Sequence, residues 1–243
     1  MITASAFDNP RALSARVALV LGGERVAGEG VESFASSRFD PFLNQVFVGA
    51  GGRAEAVAPR LDGRPAFVWM ATEPAPATRR ALGADGFTPA AFTAMEASDD
   101  PGPPAACDPE PVRSPDDVAA WHAVYCEVLG PDPRSIEDWR RLHAALGPGG
   151  DGSFLLWLAR DGDAPAAAGA LFLDAATAGL YCFATREPFR RRGLAGDLTG
   201  VCRRHARARG AARCVLQASA AGRPVYARAG FADVGPVAIF VRR

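Results

Sequence analysis

The residues Arg190-Arg191-Arg192-Gly193-Leu194-Ala195-Gly196 set three cationic side chains directly before a run of glycine and alanine. An apolar stretch, Leu180-Tyr181-Cys182-Phe183-Ala184, comes just before, and an amphipathic stretch from Leu194 to about Arg209 comes just after. The pattern predicts a strand, a basic turn, and a helix whose N-terminus emerges from the turn. The first amides of a helix have no partner within it, and the macrodipole adds partial positive charge there. A phosphate group is the natural ligand of such a place. Small residues at 193, 195 and 196 let a phosphate approach the backbone without meeting side chains. Residues 186–213 hold nine arginines against Glu187 and Asp197. That local excess lies in a chain of zero net charge, so the bias favours a small polyphosphate ligand over nucleic acid or a membrane surface.

The elements around the turn follow from periodicity and breakers. Asn9-Pro10 reads as a helix start with Pro10 at the first helical position, and Gly22-Gly23 as its stop. Asn44–Val48 and Ala66–Met70 read as strands, Ala54–Leu61 and Ala77–Leu82 as short helices, and Phe92–Met95 as an extended stretch. Residues 98–115 are rich in Pro and Asp, which marks a linker and a domain boundary. Ser114-Pro115-Asp116-Asp117 then opens a helix that ends at Gly130. A second helix is expected from Ser135, with Asp138 completing a capping box, to Gly147. Strands follow at 154–159, 168–173 and 180–184, then the long helix, a strand at 214–218, a short helix with Pro224 near its start, and a last strand at 238–241. The expected organisation is an N-terminal α/β domain over 1–98, a Pro-rich linker over 99–111, and a mixed α/β domain over 112–243.

Composition narrows the chemistry. All 27 basic residues are arginine, which excludes a catalytic lysine of this chain and points to a high-GC bacterial coding sequence. Cysteines at 107, 126, 182, 202 and 214 make no CxxC pair and no even set, so a reduced, cytoplasmic protein is expected. No apolar run reaches the length of a membrane span, and no signal peptide is visible. His122, His143 and His205 fall on helices without metal-ligand spacing, and no metal is expected. Cys182 and Cys214 read as core thiols.

Arg190-x-x-Gly193-x-Ala195, in its strand-turn-helix setting, resembles the (Gln/Arg)-x-x-Gly-x-(Gly/Ala) signature of the GNAT superfamily of acyl-coenzyme A-dependent N-acyltransferases. The order of elements from about residue 112 and the segment Tyr226-Ala227-Arg228-Ala229-Gly230-Phe231 are similar to that superfamily as well. The resemblance implies a GNAT-like α/β fold with a mixed sheet, acetyl-coenzyme A as acyl donor, and a primary amine of a small molecule or peptide as acceptor. It implies that the backbone of Arg190, Arg191, Arg192, Gly193, Leu194, Ala195 and Gly196 holds the pyrophosphate. Phe183, Ala184 and Thr185 would pair with the pantetheine arm as an added strand would. Strands ending at Ala184 and Ala218 would splay around the thioester, and Tyr226 would protonate the leaving thiolate. Many members carry Asn where this chain has Ser219, a shorter hydrogen-bonding residue assigned to the cofactor site.

Glu187, Asp174 and Glu127 are the candidate bases for the amine, and the sequence does not separate them. Two other readings stand beside the enzyme: a non-catalytic acyl-coenzyme A sensing module, and a nucleic-acid contact made by the arginine-rich turn, which lacks interleaved aromatics. Residues 78–97 loosely repeat the tail of the chain, with a short helix, Gly86-Phe87 and an extended stretch. The N-terminal domain is therefore expected to be a degenerate GNAT-like copy. Lacking an Arg-x-x-Gly-x-Ala segment, it is expected to bind no coenzyme A and to wall the acceptor site or make a homodimer contact.

Overall fold

The computed structural model describes residues 4–53, 56–57, 60–97 and 107–243. In chain order the N-terminal half is α1 (Ala4–Leu21), β1 (Glu24–Gly28), β2 (Val31–Ala35), β3 (Asn44–Val48), β4 (Ala66–Met70), α2 (Pro76–Ala84) and β5 (Thr88–Ala97). The C-terminal half is β6 (Glu110–Pro111), α3 (Pro115–Leu129), α4 (Ile136–Leu146), β7 (Phe154–Asp161), β8 (Ala164–Asp174), β9 (Thr177–Thr185), α5 (Leu194–Ala208), β10 (Arg213–Ser219), α6 (Arg223–Arg228) and β11 (Ala232–Arg242).

All the strands belong to one mixed sheet in the order β1-β2-β3-β4-β11-β5-β10-β9-β8-β7-β6. From either edge an antiparallel meander leads to one parallel step, β3 to β4 on one side and β9 to β10 on the other. Between the two parallel steps the last strands of the halves cross over. The N-terminal half's β5 pairs with β10, and the C-terminal half's β11 pairs with β4. The sheet thus runs unbroken across the expected domain boundary. The linker expected there lies mostly outside the described residues, and its final Glu110–Pro111 pairs with β7.

Helices cover both faces of the sheet. On one face α1, α3 and α4 enclose Leu13, Val17, Trp121, Trp139, Phe154 and Tyr181. On the other, Leu194, Leu198, Cys202 and Ala206 of α5 pack against Leu155, Leu180 and Leu216. Helix α1 also covers the N-terminal half, where Ala18 packs with Phe34, Phe47 and Trp69.

Two local expectations are corrected. Helix α1 begins before Pro10, which lies inside it. Phe7 meets the ring of Phe47 edge to face at 5.4 Å, and that packing extends the helix past a proline that removes one backbone bond. The capping box expected at Ser135 and Asp138 is not made, because Asp138 instead accepts from the Ser37 hydroxyl at 2.7 Å. Ser135 donates its hydroxyl to the Asp132 carbonyl at 2.8 Å. A reciprocal box forms at Ser114 and Asp117, opening α3. The helix expected over 54–61 falls partly outside the described residues.

Candidate active site

The parallel pairing of β9 with β10 is short. It joins Thr177, Ala178 and Gly179 to Arg213, Cys214 and Val215, and no pair follows. From Leu180 onward β9 keeps its partner β8 on one edge, with Ala184 opposite Ala168 and Thr185 opposite Ala167, while its other edge turns away from β10. An open backbone edge is left beside Phe183, Ala184 and Thr185, suited to an extended ligand that adds as a strand. The equivalent step in the N-terminal half is closed, since Gln45 to Val48 all pair with Phe67 to Met70.

Strand β9 is bulged within the open region. Cys182 has φ 56, and the register against β8 shifts there, so Cys182 and Phe183 together oppose Gly169. The Phe183 ring lies over Gly169, where a Cβ would fall 3.0 Å from a ring carbon. Only glycine leaves room for the ring. Phe183 in turn meets Tyr226 edge to face, ring centroids 6.1 Å apart. The splayed strand and the tyrosine, separated by more than forty residues in sequence, share one site.

The basic turn follows directly. A 3-10 turn, Glu187–Phe189, leads to Arg191 at φ 62 and Gly193 at φ 87, and Gly193 is the N-cap of α5 with no side chain capping it. The first-turn amides of α5 are therefore presented outward. Arg190 donates through Nε to the Thr185 carbonyl at 3.1 Å, which ties the turn to the end of β9. Arg192 pairs with Asp161 at 2.8 Å and stacks its guanidinium over Phe189. Arg191 is exposed and makes no ion pair or hydrogen bond among the described residues. Asp197 turns its carboxylate to the Cys107 amide at 3.0 Å, which pins the chain entering the C-terminal half beside α5.

Tyr226 lies on α6, half-buried, and burial raises its hydroxyl pKa with a smaller contribution from Cys202. The group is a phenol, not a phenolate, at neutral pH. Ser219 ends β10, and its hydroxyl accepts from the Gly222 amide at 3.2 Å, so it caps the turn into α6. Sequence spacing had placed each of these groups in separate elements; the fold brings the β9 edge, the turn, Ser219 and Tyr226 together around the open end of one strand pair.

The three carboxylates considered as bases are not equivalent. Asp174 opposes Thr177 at the closed end of the pair, eight residues or about 26 Å along β9 from Thr185, and is removed from the site. Glu127 forms an ion pair with Arg186 at 2.8 Å, at the open end. Glu187 is exposed in the 3-10 turn beside it. His122 is buried against Ser135, and burial lowers its pKa to about 4, so it is neutral and structural. Among the described residues no His/Cys/Asp/Glu group is arranged to hold a metal, and no helix is long and apolar enough to cross a membrane.

The missed feature is Asp40, a fully buried carboxylate of the N-terminal half bonded to Tyr125 and Trp139. Its only sequence signal is an Asp before a Pro, which reads as an ordinary turn cap.

Comparison with known proteins bears on the fold and on the C-terminal half. Residues 136–240 match the acetyltransferase (GNAT) domain family. No curated protein sequence matches the chain. Among solved structures, a GCN5-related N-acetyltransferase from Kribbella flavida is similar over 96% of this chain and 95% of its own, with a TM-score of 0.65 at 16% identity. A GCN5-related N-acetyltransferase from Sphaerobacter thermophilus is similar over 89% of this chain and 81% of its own, with a TM-score of 0.55 at 16% identity. A conserved protein of unknown function from Staphylococcus epidermidis matches over 91% and 94%, with a TM-score of 0.64 at 10% identity. At these identities the likeness is one of fold, and it extends over both halves of the chain.

Proposed function

We propose that the protein, whose residues 136–240 match the acetyltransferase (GNAT) domain family, transfers the acetyl group of acetyl-coenzyme A to a primary amine of a small molecule or peptide. The observation that carries this reading is the separation of β9 from β10 after Gly179 and Val215, next to a helix N-terminus without a side-chain cap. The amides of Arg191 to Gly196 hold the pyrophosphate, and the open edge at Phe183, Ala184 and Thr185 pairs with the pantetheine arm. The thioester then lies between the separated strands, where β9 amides polarise its carbonyl.

The neutral amine attacks the carbonyl carbon, a C–N bond forms and the C–S bond breaks. Tyr226 gives its proton to the departing sulfur. The amine's proton leaves to Glu127 or Glu187, or to water between them. The N-terminal half, with its parallel step closed and no Arg-x-x-Gly-x-Ala segment, serves as a degenerate copy that supplies β5 and α1 to the site's walls and binds no coenzyme A.

The test is incubation with acetyl-coenzyme A and a panel of primary amines, following free thiol and the mass of each amine. Thiol release that appears only with an amine gaining one acetyl group supports the reading. Tight coenzyme A binding with no amine acetylated would mark a sensing module instead.

A further inference from the structure

The N-terminal half sends one carboxylate into the interior of the C-terminal half. Asp40 has no exposed surface, and it precedes the 3-10 turn Pro41–Leu43, where Oδ1 accepts from the Phe42 amide at 2.9 Å. That bond suffices for a turn cap. Two further donors come from distant helices: the Tyr125 hydroxyl of α3 reaches Oδ1 at 3.0 Å, and the Trp139 indole N–H of α4 reaches Oδ2 at 2.8 Å. Among the described residues no cation pairs with the carboxylate. A buried charge costs heavily unless its hydrogen bonds are complete, so three donors arranged around it constitute a built environment.

The path from this group leads to the acyl-transfer site. Tyr125 lies in the buried cluster against which Cys182 packs, and Cys182 is the left-handed residue of the bulge in β9. That bulge lies three residues past Gly179, the last position paired with β10. We propose that Asp40 is a positioning residue of the acyl-transfer centre: by bonding the Tyr125 hydroxyl it holds the α3 side chains on which the Cys182 bulge packs, and with that bulge the β9 backbone that faces the thioester. The proposal rests on the acetyl-coenzyme A reading above.

The groups facing Asp40 are Tyr125, with Cys126 and His122 beside it on α3, Asp138 on α4 and Cys182 on β9. Burial raises the Asp40 carboxyl to about 6 against the pull of its three donors. Protonation in mild acid therefore removes the charge that orients the Tyr125 hydroxyl, and polarisation of the thioester weakens there.

The experiment is the carbon-13 resonance of [1-13C]acetyl-coenzyme A bound to the full chain, to Asp40→Asn and to Tyr125→Phe. Both variants are expected to bind acetyl-coenzyme A within about twofold of the wild type, a change under half a kcal/mol. Their bound carbonyl resonance moves toward its position in free solution. In the wild type that resonance titrates near pH 6, and in Asp40→Asn it does not. Variants that bind the donor and keep the wild-type resonance across the pH range overturn the proposal. Should Asp40→Asn not fold, Tyr125→Phe decides alone, since it keeps the ring and removes only the hydroxyl. A wild type that binds no acetyl-coenzyme A refutes the donor reading and this proposal with it, a result distinct from normal binding with an unchanged resonance.

Discussion

Val215 is the last residue of β10 to pair with β9, and its partner there is Gly179. Beyond that pair β9 runs on for six residues with β8 alone, through a bulge at Cys182, to a turn whose amides face outward. One broken parallel ladder thus leaves an open slot beside β9 that ends at the basic turn. The intact ladder between β3 and β4 leaves no such slot.

Tyr226 is held beside Phe183 with its phenol protonated across the working pH range. Tyr226→Phe is expected to lower kcat by about 10²–10⁴-fold, the usual size of general acid catalysis, with the KM for acetyl-coenzyme A nearly unchanged. Steady-state kinetics with any active amine checks this. An unchanged kcat would take Tyr226 out of the proton transfer or show that chemistry is not rate-limiting.

Gly193 stands at φ 87, a conformation costing an L-residue roughly 1–2 kcal/mol, at the mouth of the proposed phosphate site. Gly193→Val should leave the circular dichroism spectrum of the fold in place. The added side chain blocks the amides, and the dissociation constant for coenzyme A should rise by more than about 100-fold, or about 2.7 kcal/mol. Wild-type affinity in the variant would place the pyrophosphate elsewhere.

Gly169→Ala sets a methyl group 3.0 Å from the Phe183 ring. The ring must move, and overpacking of this kind costs about 1–3 kcal/mol. Because Phe183 borders both the open edge and Tyr226, denaturant unfolding should show the loss of stability while the KM for acetyl-coenzyme A rises. A stability loss with an unaltered KM would separate the bulge from donor binding.

Asp40 gives the fold a pH signature. Its carboxyl sits at about 6 in the folded chain against an ordinary value of 3.8. The folded state therefore holds a proton that the unfolded state has already released. The stability linked to that proton is present in full below the unfolded value and is lost as the pH rises through about 6, to a total of up to about 3 kcal/mol. Unfolding free energies of the wild type minus those of Asp40→Asn should thus fall between about pH 4 and pH 7. A difference that stays flat would mean that Asp40 titrates normally.

Much of this was legible in the sequence. The turn was, because Arg190, Gly193 and Ala195 answer to local chemistry that spacing preserves. So were the strands of the C-terminal half, whose apolar runs are long enough to outweigh competing signals. The crossing of β5 and β11 was not, since register between strands more than a hundred residues apart leaves no local mark. Pro10 misled because Phe7, packed on Phe47, draws the helix past it. Ser135 and Asp138 misled for the same reason: Ser37, from the other half, takes the side chain that the local motif reserves. Asp40 was hidden because its meaning lies in Tyr125 and Trp139, residues 85 and 99 positions away.

The central claim is that one acyl-coenzyme A site exists per chain, on the turn that begins α5. Titration calorimetry of coenzyme A into the wild-type protein and into Gly193→Val tests it most directly. The account predicts saturation at one coenzyme A per chain for the wild type and no measurable heat for the variant. Absence of binding to the wild type, a second equivalent bound by the N-terminal half, or equal binding by the variant would contradict it.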